Sequence, residues 1–300
     1  MVTFKREAVR VVVPATSANL GSGFDSVGLA LGVYDELVAM VSDDEGVLVE
    51  VAGEGAGVVP QDERNLVASV MLAAFDAMGA RPPGFVLRCA NGVPHGRGLG
   101  SSAAARIGGI VLARALVEDG DTLLPDDAVL DLANAMEGHP DNAAAALFGG
   151  FTVAWCENGR ARAVSRQVHA DVVPVVCVPP TELSTTKARD ALSDQVSRDD
   201  ASFNVSRAAL LVHAMTADPR LLLPATDDRL HQQQRREVYP DSIALVERLR
   251  TDGHAAMVSG AGPSVIVLAT TSQAASITAP EGWGVHLVEV DTAGARVLPL

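Results

Sequence analysis

The sequence predicts an α+β protein, and three observations carry that expectation. Short valine- and leucine-rich runs with strand character recur along the chain, and between them lie longer segments with apolar residues at helical spacing. The two kinds of segment do not alternate as regular βαβ units, which separates the pattern from a doubly wound parallel sheet. A chain of 300 residues with 48% apolar content can bury a large core, in one big domain or two moderate ones.

In chain order, residues 9–13, 37–41, 47–51 and 85–89 read as strands, rich in β-branched and large apolar side chains. Residues 65–78 read as a helix, because Leu66, Val67, Val70, Met71, Ala74 and Phe75 fall on one face. Ser101–Leu116 does the same with Ile107, Ile110, Val111, Ala115 and Leu116. Helices are expected next at Asp126–Glu137 and residues 141–147, followed by a strand near residues 151–155. The run Ala170-Asp171-Val172-Val173-Pro174-Val175-Val176-Cys177-Val178 has the pattern of a buried strand and opens a second unit. The division is placed between an N-terminal domain, residues 1–166, and a C-terminal domain, residues 167–300. Residues 206–215 and 242–250 look helical, separated by a Pro-, Asp- and Gln-rich connector at 218–240, and residues 265–268 are strand-like. There is no internal repeat and no low-complexity linker.

A net charge of −14 argues against nucleic acid or an anionic membrane surface as partner. No stretch approaches the roughly 20 apolar residues of a membrane span. The first ten residues are charged and lead into a five-residue valine-rich run, unlike a signal peptide. Cys89, Cys156 and Cys177 lie far apart with no C-x-x-C, so they are expected to be buried thiols in a reducing compartment, the cytoplasm.

The most informative stretch is Pro94-His95-Gly96-Arg97-Gly98-Leu99-Gly100-Ser101-Ser102-Ala103-Ala104. Three glycines at alternate positions run into two serines at the start of a helix. Glycine permits positive φ and close approach of backbone N–H groups, and a helix N-terminus presents unpaired donors and the positive end of its dipole. Such a loop is an anion site with phosphate as its natural guest. The chain has two lysines, Lys5 and Lys187, and no Gly-Lys pair, which excludes a Walker A loop. Neither lysine stands where a protein kinase needs one, and the glycine spacing departs from a dinucleotide fingerprint. The phosphate must be held by backbone amides, hydroxyls, a metal and arginines.

With two further segments, this loop resembles the nucleotide loop of the GHMP small-molecule kinases. The first is Pro14-Ala15-Thr16-Ser17-Ala18-Asn19-Leu20-Gly21-Ser22-Gly23-Phe24-Asp25, and the other is Ser259-Gly260-Ala261-Gly262-Pro263-Ser264. The motifs stand in family order over residues 14–264. Within the family, Glu137-Gly138-His139-Pro140-Asp141-Asn142, Leu230-His231-Gln232-Gln233-Gln234-Arg235 and Thr185-Thr186-Lys187-Ala188-Arg189 resemble the branch that phosphorylates L-homoserine on the route to threonine. The resemblance implies a ribosomal-S5-like N-terminal half, a ferredoxin-like C-terminal half, ATP and Mg²⁺ as cofactors, and a homodimer.

It also implies roles. The whole segment from Pro94 to Ala104 would face the nucleotide, with Asn65 on the adenine side, where an N-cap is the alternative. Mg²⁺, a hard cation that favours oxygen, would be held by Ser102 and Glu137; Asp131 is a lesser candidate. Asn142 would face the reacting phosphoryl group, and an amide there cannot take a proton. Arg189 and Arg235 match the family's two arginines and suit a carboxylate, which guanidinium forks bind bidentately; Arg236 is adjacent to the second. Asn19, Asp25 and His139 would receive the ammonium or hydroxyl, Gly260 would let its loop approach the substrate, and Thr185 would position substrate or phosphate. The rivals are a kinase of the same family acting on a neutral sugar or an isoprenoid acid, a nucleotide sensor without catalysis, and a decarboxylase on the same fold.

Overall fold

The computed structural model describes residues 2–183 and 185–300, apart from the side chain of Thr185. The chain enters through β1 (Val9–Ala18), turns into the long β2 (Val27–Ser42), and continues through β3 (Gly46–Gly53), α1 (Leu66–Ala77) and β4 (Gly84–Asn91). After the glycine loop come α2 (Ser101–Leu116), the one-turn α3 (Gly120–Leu123), α4 (Asp126–Glu137), α5 (Asp141–Phe148), β5 (Phe151–Glu157) and β6 (Arg160–Arg166). The second half holds β7 (Val173–Val178), α6 (Thr185–Asp190), α7 (Arg198–Thr216), α8 (Leu222–Ala225), α9 (Pro240–Thr251), β8 (Ala255–Val258), β9 (Val265–Ala269), α10 (Thr271–Ala274), β10 (Gly284–Leu287) and β11 (Arg296–Leu298).

These strands form two sheets. The first runs β11-β1-β2-β4-β3, with β5 pairing β2 and β6 on a branch; the second is antiparallel, in the order β10-β7-β9-β8. The branch explains why β2 is much longer than the 37–41 strand expected from sequence. Its residues 35–42 pair with β4 and its residues 27–29 pair with β5, so one strand serves two neighbours. A register shift at Pro14/Ala15 bends the β1–β2 pair between those halves, at a point where proline's missing N–H is tolerated. The C-terminal β11 returns to the first sheet beside β1, which ties the end of the chain to its beginning.

Apolar burial is layered to match. Helices α1, α2, α4 and α5 cover one face of the first sheet through Phe75, Ile107, Ile110, Leu130 and their neighbours. Phe75 is fully buried and meets Phe4 and Phe85 edge-on at 5.6 and 6.1 Å; burying such a ring stabilises by about 3 kcal/mol. A second cluster joins the sheets: Leu20, Leu29 and Leu31 from the N-terminal half meet Leu211, Met215 and Ile266 from the C-terminal half. A third lies between the second sheet and α9. Among the described residues no helix is long and apolar enough to cross a membrane.

Three local expectations are corrected. Helix α7 starts well before residue 206, because Ser197 caps it by accepting the N–H of Asp200 at 3.0 Å. The connector at 218–240 is not a bare linker: it contains α8 and short 3₁₀ turns at Pro219–Leu221 and Gln233–Arg235. Cys89 and Cys177 are buried, and burial raises them to about 12 and about 11, but Cys156 is exposed near the end of β5.

Candidate active site

The three glycine-rich segments meet, and hydrogen bonds fasten them to one another. Thr16 N–H donates to Leu99 O at 3.0 Å, Gly260 N–H to Ala18 O at 3.1 Å, and Asn19 Nδ2 to Gly260 O at 2.9 Å. Ser259 Oγ donates to Gly98 O at 2.7 Å and lies 2.9 Å from Ser17 Oγ. Gly98 needs its missing Cβ as well as its φ of +72°, since a methyl there would collide with the carbonyls of Ser259 and Gly262. Asn19, Leu20 and Asp25 also have left-handed φ, of 70°, 43° and 52°. That conformation costs roughly 1–2 kcal/mol for an ordinary residue, and it is held here by bonds from Asp25 N–H to Asn19 Oδ1 and from His231 Nε2 to Gly21 O.

A cleft opens where these loops converge. One wall is the start of α2: Gly96, Gly98, Gly100, Ser101 and Ser102 line it. Gly100 caps the helix in left-handed conformation at φ 69°, and the N–H groups of Ser101, Ser102 and Ala103 follow without intrahelical acceptors. Not all of the expected loop faces the cleft. Ala104 N–H donates to Gly100 O, the side chains of Leu99, Ala103 and Ala104 are buried, and Pro94 is not on the wall. The Arg97 guanidinium turns away to the carbonyls of Pro179, Pro180 and His95. His95 and Asn65 line a neighbouring cavity of about 890 Å³ that shares Ser101 and Ser102 with the cleft. Asn65 is indeed an N-cap: Oδ1 accepts Val67 N–H and Nδ2 donates to Pro60 O, both at 3.0 Å.

Polar groups from α4 and α5 flank the start of α2. Asn142, at the start of α5, accepts from Thr16 Oγ1 on Oδ1 at 2.8 Å, which fixes its amide; Nδ2 donates one N–H to Asp141 Oδ1 at 3.3 Å and keeps its second for the cleft. Asp141 is buried at the first position of that helix and accepts from Asn142 N–H, with His139 Nδ1 2.8 Å away. Burial pulls His139 down, but the hydrogen bond and charge of Asp141 outweigh it and its pKa is raised. Glu137, at the end of α4, is buried with Oε2 unpartnered. Burial pushes its carboxyl up, opposed by the Arg106 guanidinium. An orphaned carboxylate oxygen beside a serine hydroxyl is the donor set a divalent cation takes, so Glu137 and Ser102 fit Mg²⁺. Asp131 does not line the cleft; its Oδ1 accepts the N–H of Ala161.

At the other end stand the arginines. Arg189 forms a bidentate pair with Asp25, at 2.8 and 3.2 Å, so two expected substrate groups neutralise each other. Arg235 is 2% exposed; its Nε donates to Ala188 O and its Nη1 to His231 Nδ1 at 3.1 Å. Among the described residues no carboxylate pairs with it, and burial lowers its pKa without discharging it. Arg236 points elsewhere, to Gln233 and Glu247. Gly260 lines the cleft beside these groups. Thr185 opens α6, and its side chain lies outside the described residues.

Sequence reasoning assigned no role to Thr16, Arg106, His231 or Asp35. Asp35 sits in mid-β2 beneath the second cavity, 3% exposed, with Oδ1 accepting Val93 N–H at 2.9 Å just before the glycine loop. Burial raises its pKa to about 6, with the N–H donors of Val93 and Gly92 opposing. Its folded pKa exceeds the unfolded value, so stability falls as pH rises from about 4 to about 6 and then stays level. Asp35→Asn keeps an acceptor for Val93 and removes the charge. It should be up to about 3 kcal/mol more stable than wild type at pH 7.5 in urea denaturation, with the gain vanishing near pH 4. Equal destabilisation at both pH values would contradict this.

The GHMP kinases N terminal domain matches residues 65–150, and the GHMP kinases C terminal domain matches residues 208–279. A homoserine kinase of Streptomyces avermitilis is 52% identical over 299 residues, covering 99% of this chain and 98% of the relative. One from Clavibacter michiganensis subsp. michiganensis is 47% identical over 296 residues, covering 96% and 93%. The crystal structure of homoserine kinase from Cytophaga hutchinsonii superimposes with a TM-score of 0.83 at 27% identity, covering 99% of this chain and 98% of that one. Mevalonate diphosphate decarboxylase from Staphylococcus aureus, at 16% identity and TM-score 0.66 over 100% and 99% of the two chains, shares the fold. This chain belongs to the GHMP kinase family, among its homoserine kinases.

Proposed function

We propose that the chain transfers the γ-phosphoryl group of ATP to the side-chain hydroxyl of L-homoserine, giving O-phospho-L-homoserine and ADP. The observation that carries this is Arg235: a buried guanidinium without a carboxylate partner among the described residues, lining the same cleft as a helix N-terminus built for phosphate. A neutral sugar gives such a charge nothing to pair with, whereas an amino acid brings a carboxylate. The Asp25–Arg189 pair supports the same substrate. A zwitterion can enter by ion-pair exchange, its carboxylate replacing Asp25 on Arg189 and its ammonium replacing Arg189 on Asp25, with no net charge buried. His139, Asp141 and Asn19 add polar contacts around the ammonium and hydroxyl.

The backbone donors of Gly96–Ser102 hold the nucleotide phosphates, and the second cavity, with Asn65 and His95, takes the base. Mg²⁺ held by Ser102 and Glu137 would neutralise charge building on the transferred group. Asn142 presents Nδ2 to the reacting centre, its orientation locked by Thr16. The acceptor oxygen bonds to phosphorus as the bond to the ADP oxygen breaks. The hydroxyl proton leaves to the transferred phosphoryl group or to solvent, because each nearby carboxylate is committed: Asp25 to the substrate ammonium after the exchange, Asp141 to its donors, Glu137 to the metal. In a loose transition state little bond formation precedes departure of the leaving group, so a strong base is not required.

ADP release measured with Mg-ATP and separate acceptors tests the assignment. Turnover is expected with L-homoserine and not with mevalonate or galactose; ATP binding without turnover of any acceptor would favour the sensor instead. Asn142→Ala should lower kcat by roughly 10²-fold with little change in KM, as loss of one preorganised donor does. A large rate gain in Asn142→Asp would contradict the role of Asn142 as a fixed donor.

A further inference from the structure

The Ser102–Glu137 pair is not empty of positive charge. Arg106 stands one helical turn beyond Ser102 on α2. Its Nη1 is bonded to Ser102 Oγ, lies 3.2 Å from Ser102 O, and reaches to 3.7 Å from Glu137 Oε1. Arg106 and Glu137 are mostly buried, at 17% and 11% side-chain exposure. The geometry is loose in a specific way. At 3.7 Å the contact with Glu137 is electrostatic and not a hydrogen bond, while Glu137 Oε2 and Arg106 Nε are both buried without partners. Ser102 holds the Arg106 head group by hydrogen bonds and Glu137 faces its charge, and among the described residues no other contact to that head group is seen.

We propose that Arg106 is a positioning residue for the metal pair: its guanidinium is a built-in counter-cation that occupies Ser102 and Glu137 in the metal-free chain and is displaced when the divalent ion binds. The inference rests on the assignment of Ser102 and Glu137 to the metal. Two physical points support it. A buried carboxylate without a counter-charge is destabilising, and the Arg106 guanidinium opposes the effect of burial on Glu137 by supplying one. A monovalent guanidinium left within about 4 Å of a divalent ion at the same carboxylate would oppose it by several kcal/mol at the effective dielectric of a protein site, so the two cannot share it. Arg106 can leave by side-chain rotation, since its anchors are on its own helix and on Glu137, and no backbone has to move. The chain thus sets how much free metal is needed before the site is complete.

The test uses Mn²⁺ as the probe, titrated by water-proton relaxation into the full-length protein with a non-hydrolysable ATP analogue. Arg106→Met should bind Mn²⁺ about tenfold or more tightly than wild type, while Arg106→Lys, which keeps a cation, should stay close to wild type. Unchanged or weaker Mn²⁺ binding by a folded Arg106→Met overturns the inference, as does an equal gain in Arg106→Lys. Weaker nucleotide binding at unchanged Mn²⁺ affinity also overturns it and puts the guanidinium on the phosphates. Glu137→Gln tests the metal assignment separately: Mn²⁺ binding unaffected by Glu137→Gln removes that assignment and the inference together. Loss of Mn²⁺ in Glu137→Gln with no gain in Arg106→Met removes the inference alone. If Arg106→Met does not fold, wild-type crystals soaked with Mn²⁺ and the analogue decide. Metal at Glu137 with Arg106 withdrawn supports the inference, and metal at Glu137 with Arg106 still on Ser102 Oγ overturns it.

Discussion

The hydroxyl of Ser259 donates to the carbonyl of Gly98 and touches the hydroxyl of Ser17, so three segments spread across the chain share one contact. Everything chemical in the molecule depends on that meeting. The first segment brings Asn19 and Asp25, the second brings the start of α2, and the third closes over them through Gly260. Because the segments come from both sheets, the apolar cluster that joins the sheets holds the site's walls at a fixed separation. The left-handed residues 19–21 and the Cβ-free Gly98 are the local strain and steric demands of that convergence.

Charge follows the same logic. The chain carries a net charge of −14 while ATP is anionic, and the cleft answers this with arginines: Arg235, which has no carboxylate partner among the described residues, and Arg189, which is paired with Asp25. Arg235 is fixed by Ala188 and by His231, whose Nε2 bonds to Gly21 O and whose ring stacks on Phe24 at 5.0 Å. His231 Nε2 faces a carbonyl and is therefore its protonated nitrogen, which leaves Nδ1 to accept from Arg235. Burial keeps that imidazole neutral by lowering its pKa. Arg189 and Arg106 by contrast stand against Asp25 and against the Ser102–Glu137 pair, the partners that the proposed ligands would replace.

Motif order made the family and the main site residues legible, because glycine spacing and serine pairs encode backbone geometry directly. Helices with a clear apolar face, such as α1 and α2, were legible for the same local reason. The arginine-rich β6, the short exposed β10 and the terminal β11 were not, since their pairing is decided by neighbours distant in sequence. The limits within the site are similar. Sequence placed Arg97 beside phosphate, and only the fold shows its guanidinium turned to Pro179 and Pro180. Arg235 and Arg236 are indistinguishable in sequence; a 3₁₀ turn buries one and exposes the other. Asp35 and Arg106 lie in apolar or small-residue runs that read as core, and their roles come from contacts no local pattern reveals.

The central claim is that a buried, carboxylate-free Arg235 selects an amino acid as phosphoryl acceptor. The most direct measurement compares kcat/KM for L-homoserine and for 3-amino-1-propanol, which lacks the carboxylate, in wild type and in Arg235→Met. The account predicts a preference of about 30-fold to 5,000-fold for homoserine in wild type, the equivalent of the roughly 2–5 kcal/mol of a desolvated charge pair. It predicts that most of this preference is lost in the variant, through homoserine and not through the analogue. An undiminished preference in a folded Arg235→Met would contradict the account.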